Sequence, residues 1–265
     1  MSSRLDQKRR LRVQREERQR EREAESRRTR RLKLLGGVLL AAVALVVIAI
    51  VASTSGGGGG SKNGRIAGGG EVNARFAGIP QNGLTLGNPN APVTFVEFAD
   101  LKCPVCREYS LSALPTLVNR YVRTGKVKMV LQLQHFVGNQ NNDSEHAARM
   151  ALAASQQNKM WQFADLFYIN QKNENDTYVN DVFLRNIASQ VRGLDVDKAF
   201  AARNSDAITN QLQQASAQFN TAGFRGTPSF AVGKSGGTLT PINYNSFDVS
   251  EFSGPIDKAL GSSGS

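Results

Sequence analysis

Only two cysteines occur in the 265 residues, and they stand three positions apart in Cys103-Pro104-Val105-Cys106. A thiol attacks efficiently only as the thiolate, and a free cysteine ionises near pH ~8.5. Inside a Cys-x-x-Cys motif at a helix N-terminus that value falls to roughly 3.5–7.5, since unsatisfied backbone N–H groups and the helix dipole favour negative charge. Pro104 suits the first helical position, where its missing N–H would be unbonded anyway. The spacing therefore predicts Cys103 in the first turn as an exposed attacker. Cys106, within one turn of it, is the shielded thiol that resolves a mixed disulfide.

Thiol–disulfide exchange is the chemistry this pattern suits, and two alternatives stand beside it. A structural zinc site needs four soft or nitrogen ligands. There is no second Cys-x-x-Cys, and the two histidines, His135 and His146, lack ligand spacing. The other alternative is a non-catalytic pair in a binding or chaperone module. A disulfide staple is excluded by the short spacing, because staples close long loops. Neither a metal nor a cofactor is expected.

The elements around the motif must hold it at a helix start. Val93 to Phe98 is an apolar, β-branched and aromatic run typical of a buried strand, opened by Asn88-Pro89-Asn90-Ala91-Pro92. After the motif, Leu111, Leu114, Leu117, Val118 and Val122 follow helical spacing until Gly125, and Val127 to Leu133 reads as a second strand. Strand, motif, helix and strand make a βαβ unit. The middle, about 143–220, is helical. Ser144 to Ile169 is broken near Gln157-Asn158, with Trp161 in its core, and Val179, Val182, Phe183, Ile187 and Val191 form the next stripe. Asp195 N-caps a third helix with Val196, Phe200, Ile208, Leu212, Ala215 and Phe219 inward. Extended segments return at Pro228 to Gly233 and Thr238 to Ile242. A capping box of Asp248 and Glu251 starts a last helix to Leu260, with a break or a late start expected at Gly254-Pro255.

Charge assigns the flanks. Residues 1–33 hold 14 Lys/Arg and 6 Asp/Glu, so +8 of the chain's +11 lies in this tail and the remainder is nearly balanced. Residues 34–52 are uncharged and apolar, and a helix of that length spans roughly 28 Å, enough to cross a bilayer. A cleaved signal peptide is the competing reading, but the run exceeds the usual ~7–15 residues. Arg27, Arg28, Arg30, Arg31 and Lys33 crowd the first edge of the span. The positive-inside rule then places the N-terminus in the cytoplasm and the rest outside, as a single-pass signal-anchor protein of the cell membrane. The basic tail lacks interleaved aromatics, so nucleic acid is not an expected partner; anionic lipid contact fits it. Residues 53–77, with Gly56 to Ser61 and Gly68-Gly69-Gly70, read as a flexible linker. The folded domain is expected over 78–260, with 261–265 a loose end.

The segment Ala91 to Cys106, with Gly226-Thr227-Pro228-Ser229-Phe230 downstream, resembles the DsbA-like family of the thioredoxin superfamily. The resemblance covers about residues 78–260 and implies an α/β thioredoxin-like fold with a helical insertion. It implies that Pro228 is a cis-proline facing Cys103, and that Thr227 offers backbone groups to an extended substrate. Glu97, six residues before Cys103, matches the family's buried carboxylate, which relays a proton as Cys106 is released; a solvent-facing strand residue is the alternative. Asp100 and Lys102 read as ordinary loop residues that tune local charge, and His135 and His146 as structural. The implied activity is disulfide introduction into cysteine-containing exported proteins, with reoxidation by a quinone-linked membrane partner of the DsbB or vitamin-K-epoxide-reductase type. A reductase or isomerase of the same fold is the alternative. DsbA itself has Pro-His between its cysteines. Val105 neither donates a hydrogen bond nor carries charge, which implies a less acidic Cys103 and a less oxidising disulfide.

Overall fold

The computed structural model describes residues 66–138 and 142–261. The basic tail, the apolar span and most of the glycine-rich linker lie outside the described residues. Among the described residues no helix is long and apolar enough to cross a membrane.

Among the described residues six strands form one sheet: β1 (Gln81–Asn82), β2 (Thr85–Leu86), β3 (Val93–Asp100), β4 (Val127–Gln134), β5 (Ser229–Lys234) and β6 (Thr240–Ile242). Their spatial order is β1-β2-β4-β3-β5-β6, with β3 and β4 parallel and the other pairs antiparallel. Central β3 is buried along nearly its whole length because both sheet faces are covered. Alternation sends Phe95 to one face, against Phe230 and Phe252, which Tyr109 also packs against, and Phe98 to the other, against Phe219. Glu97 shares the parity of Phe95, which puts it on the face covered by the helix that carries the cysteines.

The helices are α1 (Gly69–Arg75), α2 (Pro104–Leu117), α3 (Asp143–Ser155), α4 (Met160–Ile169), α5 (Asp181–Ser189), α6 (Val196–Ala202), α7 (Asp206–Thr221) and α8 (Val249–Leu260). The βαβ unit is β3-α2-β4, as expected, and α2 continues through a wider turn at Val118–Val122. Helices α3 to α7 form the insertion between β4 and β5. Trp161 is buried in it, and its indole N–H donates to the Leu84 carbonyl at 3.0 Å, joining insertion to sheet. The turn at Gln157-Asn158 separates α3 from α4, with Asn158 at φ 59°.

Several expectations are corrected. The folded unit starts before residue 78, because Gly69–Arg75 is helical and Val72 and Phe76 are core residues. Gly68 precedes it at φ +84°, and a Cβ there would come within 2.7 Å of Ile169. That glycine therefore serves close packing rather than looseness. Asp195 does cap a helix, accepting from Lys198 N–H at 3.0 Å, but the stripe from Val196 to Phe219 is two helices. Asn204, Ser205 and Asp206 favour caps over helix interiors, and the Ser205 carbonyl accepts from Ile208 and Thr209 to restart the helix. Helix α8 runs through Gly254-Pro255 without a break. Fully buried Phe252 and Ile256 anchor it on the sheet, offsetting the hydrogen bond that Pro255 removes. No capping box forms at Asp248, whose carboxylate takes the Ser246 hydroxyl while Glu251 accepts from Asn245 N–H. Leu111 and Val182 are exposed, Val182 to 69%, at the outer edges of their stripes.

Candidate active site

Cys103 is the N-cap of α2, in extended conformation, and Pro104 takes the first helical position. Its sulfur accepts from Cys106 N–H at 3.4 Å, and its thiol donates to the Thr227 carbonyl at 3.4 Å. Both cysteines are free thiols. Cys103 is less exposed than expected, at 5%, because the Thr227-Pro228 loop covers it; Cys106 is sealed completely. Neighbouring Val105 is 44% exposed, so the motif presents an apolar side chain to solvent beside a recessed sulfur.

The two sulfurs differ in acidity. The Cys106 thiol is the strongest influence on Cys103, donating a hydrogen bond that favours the thiolate. Cys106 N–H, the Thr227 hydroxyl and Val105 N–H add to it against the opposing effect of burial, and together they bring Cys103 down to about 6. Burial first, then hydrogen bonding to Cys103 and the charge there, push Cys106 well above the ordinary thiol range. The Thr227 hydroxyl is buried without a partner of ordinary geometry; it faces both sulfurs and favours both thiolates. Thr227-Pro228 is a cis peptide, and the Pro228 carbonyl accepts from the Tyr244 hydroxyl at 2.7 Å.

Glu97 is 3% exposed rather than solvent-facing. Burial, and secondarily the charge of Asp165, raise its carboxyl to about 8. Tyr109, one turn into α2, is also fully buried, and its hydroxyl has no hydrogen-bond partner.

The residues flanking the motif are corrected most. Asp100 and Lys102 are not ordinary loop residues; both are buried. The Asp100 carboxylate accepts from the N–H groups of Lys102, Phe136 and Val137 and from the Ser144 hydroxyl. Burial nonetheless raises its pKa above the ordinary carboxylate range. The Lys102 ammonium sits 3.3 Å from Asp143, 2.7 Å from the Asp176 carbonyl and 4.9 Å over the Tyr178 ring. The Gln171 amide donates to the carbonyls of Leu101 and Cys103 at 2.7 and 3.1 Å. Thus the insertion grips the segment 100–103 from several sides and fixes where Cys103 enters α2. Sequence reasoning missed Gln171, Tyr244 and Asp165, since no local signal marks side chains whose partners lie far along the chain. For Asp100 a signal was available: a charge ending a strand buried on both faces needs partners. His135 is partly buried and His146 exposed; the structure brings neither into contact with the sulfurs.

A fold of this topology, with a helix-capping Cys-x-x-Cys under a cis-proline loop, defines the thioredoxin class. A family model described as Thioredoxin matches residues 80–247, and the chain belongs to that family, as a thiol:disulfide oxidoreductase. It is 30% identical over 189 residues to the Bacillus anthracis protein named probable disulfide bond formation protein D, covering 71% of this chain and 82% of that one. A thioredoxin-like oxidoreductase from Silicibacter pomeroyi superposes with a TM-score of 0.53 at 28% identity, covering 73% of this chain and 98% of that one. Oxidised BdbD from Bacillus subtilis superposes at 0.58 with 22% identity, over 69% and 97%, a likeness of fold.

Proposed function

We propose that the protein is an oxidase that introduces disulfides into exported, cysteine-containing proteins. The observation that carries this reading is the unequal acidity of the two sulfurs. A thiolate stabilised at Cys103 favours the reduced pair, which makes the Cys103–Cys106 disulfide a better oxidant. The bacillary relative's name speaks of disulfide formation and supports the same direction. A value of about 6 at Cys103 stands above the ~3.5 of DsbA, in line with the apolar Val105. The disulfide is accordingly a milder oxidant than DsbA's.

In this reading a substrate thiolate attacks Cys103 Sγ, the Cys103–Cys106 bond breaks, and its electron pair leaves on Cys106. Glu97 supplies the proton that makes Cys106 a neutral thiol. A second substrate thiolate then attacks the substrate sulfur of the mixed disulfide, releasing oxidised substrate and the Cys103 thiolate. Thr227 and Pro228 seat the extended substrate beside Cys103, with Val105 and Pro104 shaping the rim. Residues 34–52 anchor the enzyme with its catalytic domain outside the cytoplasm, and a quinone-linked membrane protein of the DsbB or vitamin-K-epoxide-reductase type returns the pair to the disulfide.

The reduction potential, measured against glutathione, tests the direction. An oxidase is expected above about −200 mV. A value well below that assigns the protein to the reductases.

A further inference from the structure

Between the end of α1, strand β1 and the start of α4 lies a cavity of about 310 Å³. Helix α4 begins here, while Gln171, just past its other end, donates to the Cys103 carbonyl. The helix is 10 residues long, which puts roughly 15 Å between the two places, so the cavity is separate from the thiol site. Two glutamine amides face it, Gln81 from β1 and Gln162 from α4, and the Oε1 of each is buried without a hydrogen-bond partner. Gln162 is only 7% exposed. Buried acceptors are nearly always satisfied, so a pair left open onto one cavity marks the place of donors that come from outside the fold. Lys159 and Arg192 bring positive charge to the same lining, and neither pairs with a carboxylate among the described residues. The Lys159 ammonium lies along Gly193, 3.5 Å from where a Cβ would stand. Asn73 fixes the adjacent backbone by accepting the Arg192 N–H at 2.9 Å, so both cations belong to one rim. No acidic residue lines the cavity, and α4, which no side chain caps, adds the positive end of its dipole. Phe76 and Ile79, both buried, give an apolar wall.

We propose that this cavity is a second binding site, for the C-terminal end of a peptide whose last residue is apolar. The carboxylate meets Lys159 and Arg192, backbone N–H groups donate to Gln81 and Gln162, and the last side chain lies against Phe76 and Ile79. A neutral amide N–H suits the two glutamine carbonyls better than an ammonium, which would add a third like charge with no acid to offset it. A peptide supplies two such N–H groups in its last two residues, one for each glutamine. An acylated single amino acid shares the chemistry but brings only one. The volume stands at the small end of the roughly 300–1,000 Å³ of ligand pockets, which suits a chain end rather than a folded partner.

Calorimetric titration of the full-length protein in detergent tests the site with N-acetyl-seryl-leucine, its C-terminal amide and N-acetyl-leucine. The dipeptide acid is expected to bind saturably at one site, and its amide about tenfold more weakly, through loss of the charge-assisted contacts to the cations. Gln162→Leu deletes an amide that has no partner in the protein, and should bind the dipeptide acid several-fold more weakly. Where that buried change prevents folding, Lys159→Gln/Arg192→Gln alters two side chains that reach solvent, and its affinity for the acid should fall to the parent's affinity for the amide. N-acetyl-leucine should bind more weakly than the dipeptide; binding as tightly overturns the assignment to a peptide end in favour of free acylated amino acids. Equal affinity for acid and amide, unchanged affinity in a folded variant, or no saturable binding at millimolar concentration overturns the site itself and leaves the cavity to water.

Discussion

The Tyr244 hydroxyl donates to the Pro228 carbonyl at 2.7 Å, so the segment after β6 ties down the loop that covers Cys103. Pro228 and Cys103 are joined in turn through the contact of Thr227 with the sulfur. Tyr244→Phe keeps the ring, which packs against Phe230, Phe247 and Phe252, and deletes only the donor. Stability is expected to fall by about 1 kcal/mol, the net worth of one hydrogen bond. The rate of oxidation of a peptide dithiol should fall several-fold. The Cys103 titration should hold its midpoint, because the lost hydroxyl donates to neither sulfur. Urea denaturation and stopped-flow kinetics measure the two effects separately.

The lowered pKa of Cys103 makes the reduced form's stability depend on pH. Its folded value of about 6 lies below the ordinary thiol value of 9.0. The stabilisation is therefore fully present above the unfolded value and is lost as pH falls through about 6. Three units correspond to at most about 4 kcal/mol. The oxidised form has no thiol to titrate. The stability of reduced minus oxidised protein is thus expected to rise from pH 6 toward 9, and urea titrations of both forms at stepped pH measure it. Thiolate absorbance should show one midpoint near 6, with Cys106 silent through the neutral range. A flat difference across this window would contradict the assignment of Cys103 as the acidic thiol.

How much of this was legible depends on how far apart the partners are. Strand β3 and the start of α2 were readable because their signals are local, a β-branched and aromatic run and a proline behind a cysteine. The burial of Glu97 came through family resemblance, since one carboxylate in a strand carries no mark of the face it takes. Asp100 and Lys102 looked like solvent residues because their partners Ser144, Asp143 and Asp176 lie 41 to 74 positions away. The same distance hid Asp165, which meets Arg75 across 90 positions. Helix α1 was missed for the opposite reason. Glycines read as flexible, and only the packed insertion reveals that Gly68 has no room for a side chain.

Lys102 and Asp143 form an ion pair with both side chains almost wholly buried. Removing one member strands the other. Asp143→Ala leaves the ammonium with the Asp176 carbonyl and the Tyr178 ring alone, and is expected to cost about 3–5 kcal/mol. It also frees the N–H groups of Tyr178 and Val179, which Asp143 accepts. Lys102→Met/Asp143→Asn removes both charges while keeping a side-chain acceptor for those N–H groups, and should be more stable than Asp143→Ala. Equilibrium urea denaturation of the three proteins gives the order directly. If the double variant is the least stable, the pair contributes more than its desolvation costs.

Thr227 gives the sharpest probe of redox tuning, because its hydroxyl favours the thiolate at both sulfurs while its methyl group shapes the loop. Thr227→Val is close to isosteric and removes only the hydroxyl, which has no other hydrogen-bond partner to lose. The Cys103 midpoint is expected to rise by a fraction of a pH unit, as loss of one hydrogen bond to the charged form requires. A less stable thiolate means a less stable reduced pair, so the reduction potential must become more negative. Each pH unit at Cys103 corresponds to at most about 30 mV for this two-electron couple, and the change should therefore be about 10–20 mV. Thiolate absorbance and glutathione equilibration on the same samples test the coupling between the two numbers. A midpoint that rises while the potential stays fixed or turns more positive would show that Thr227 also acts on the disulfide state.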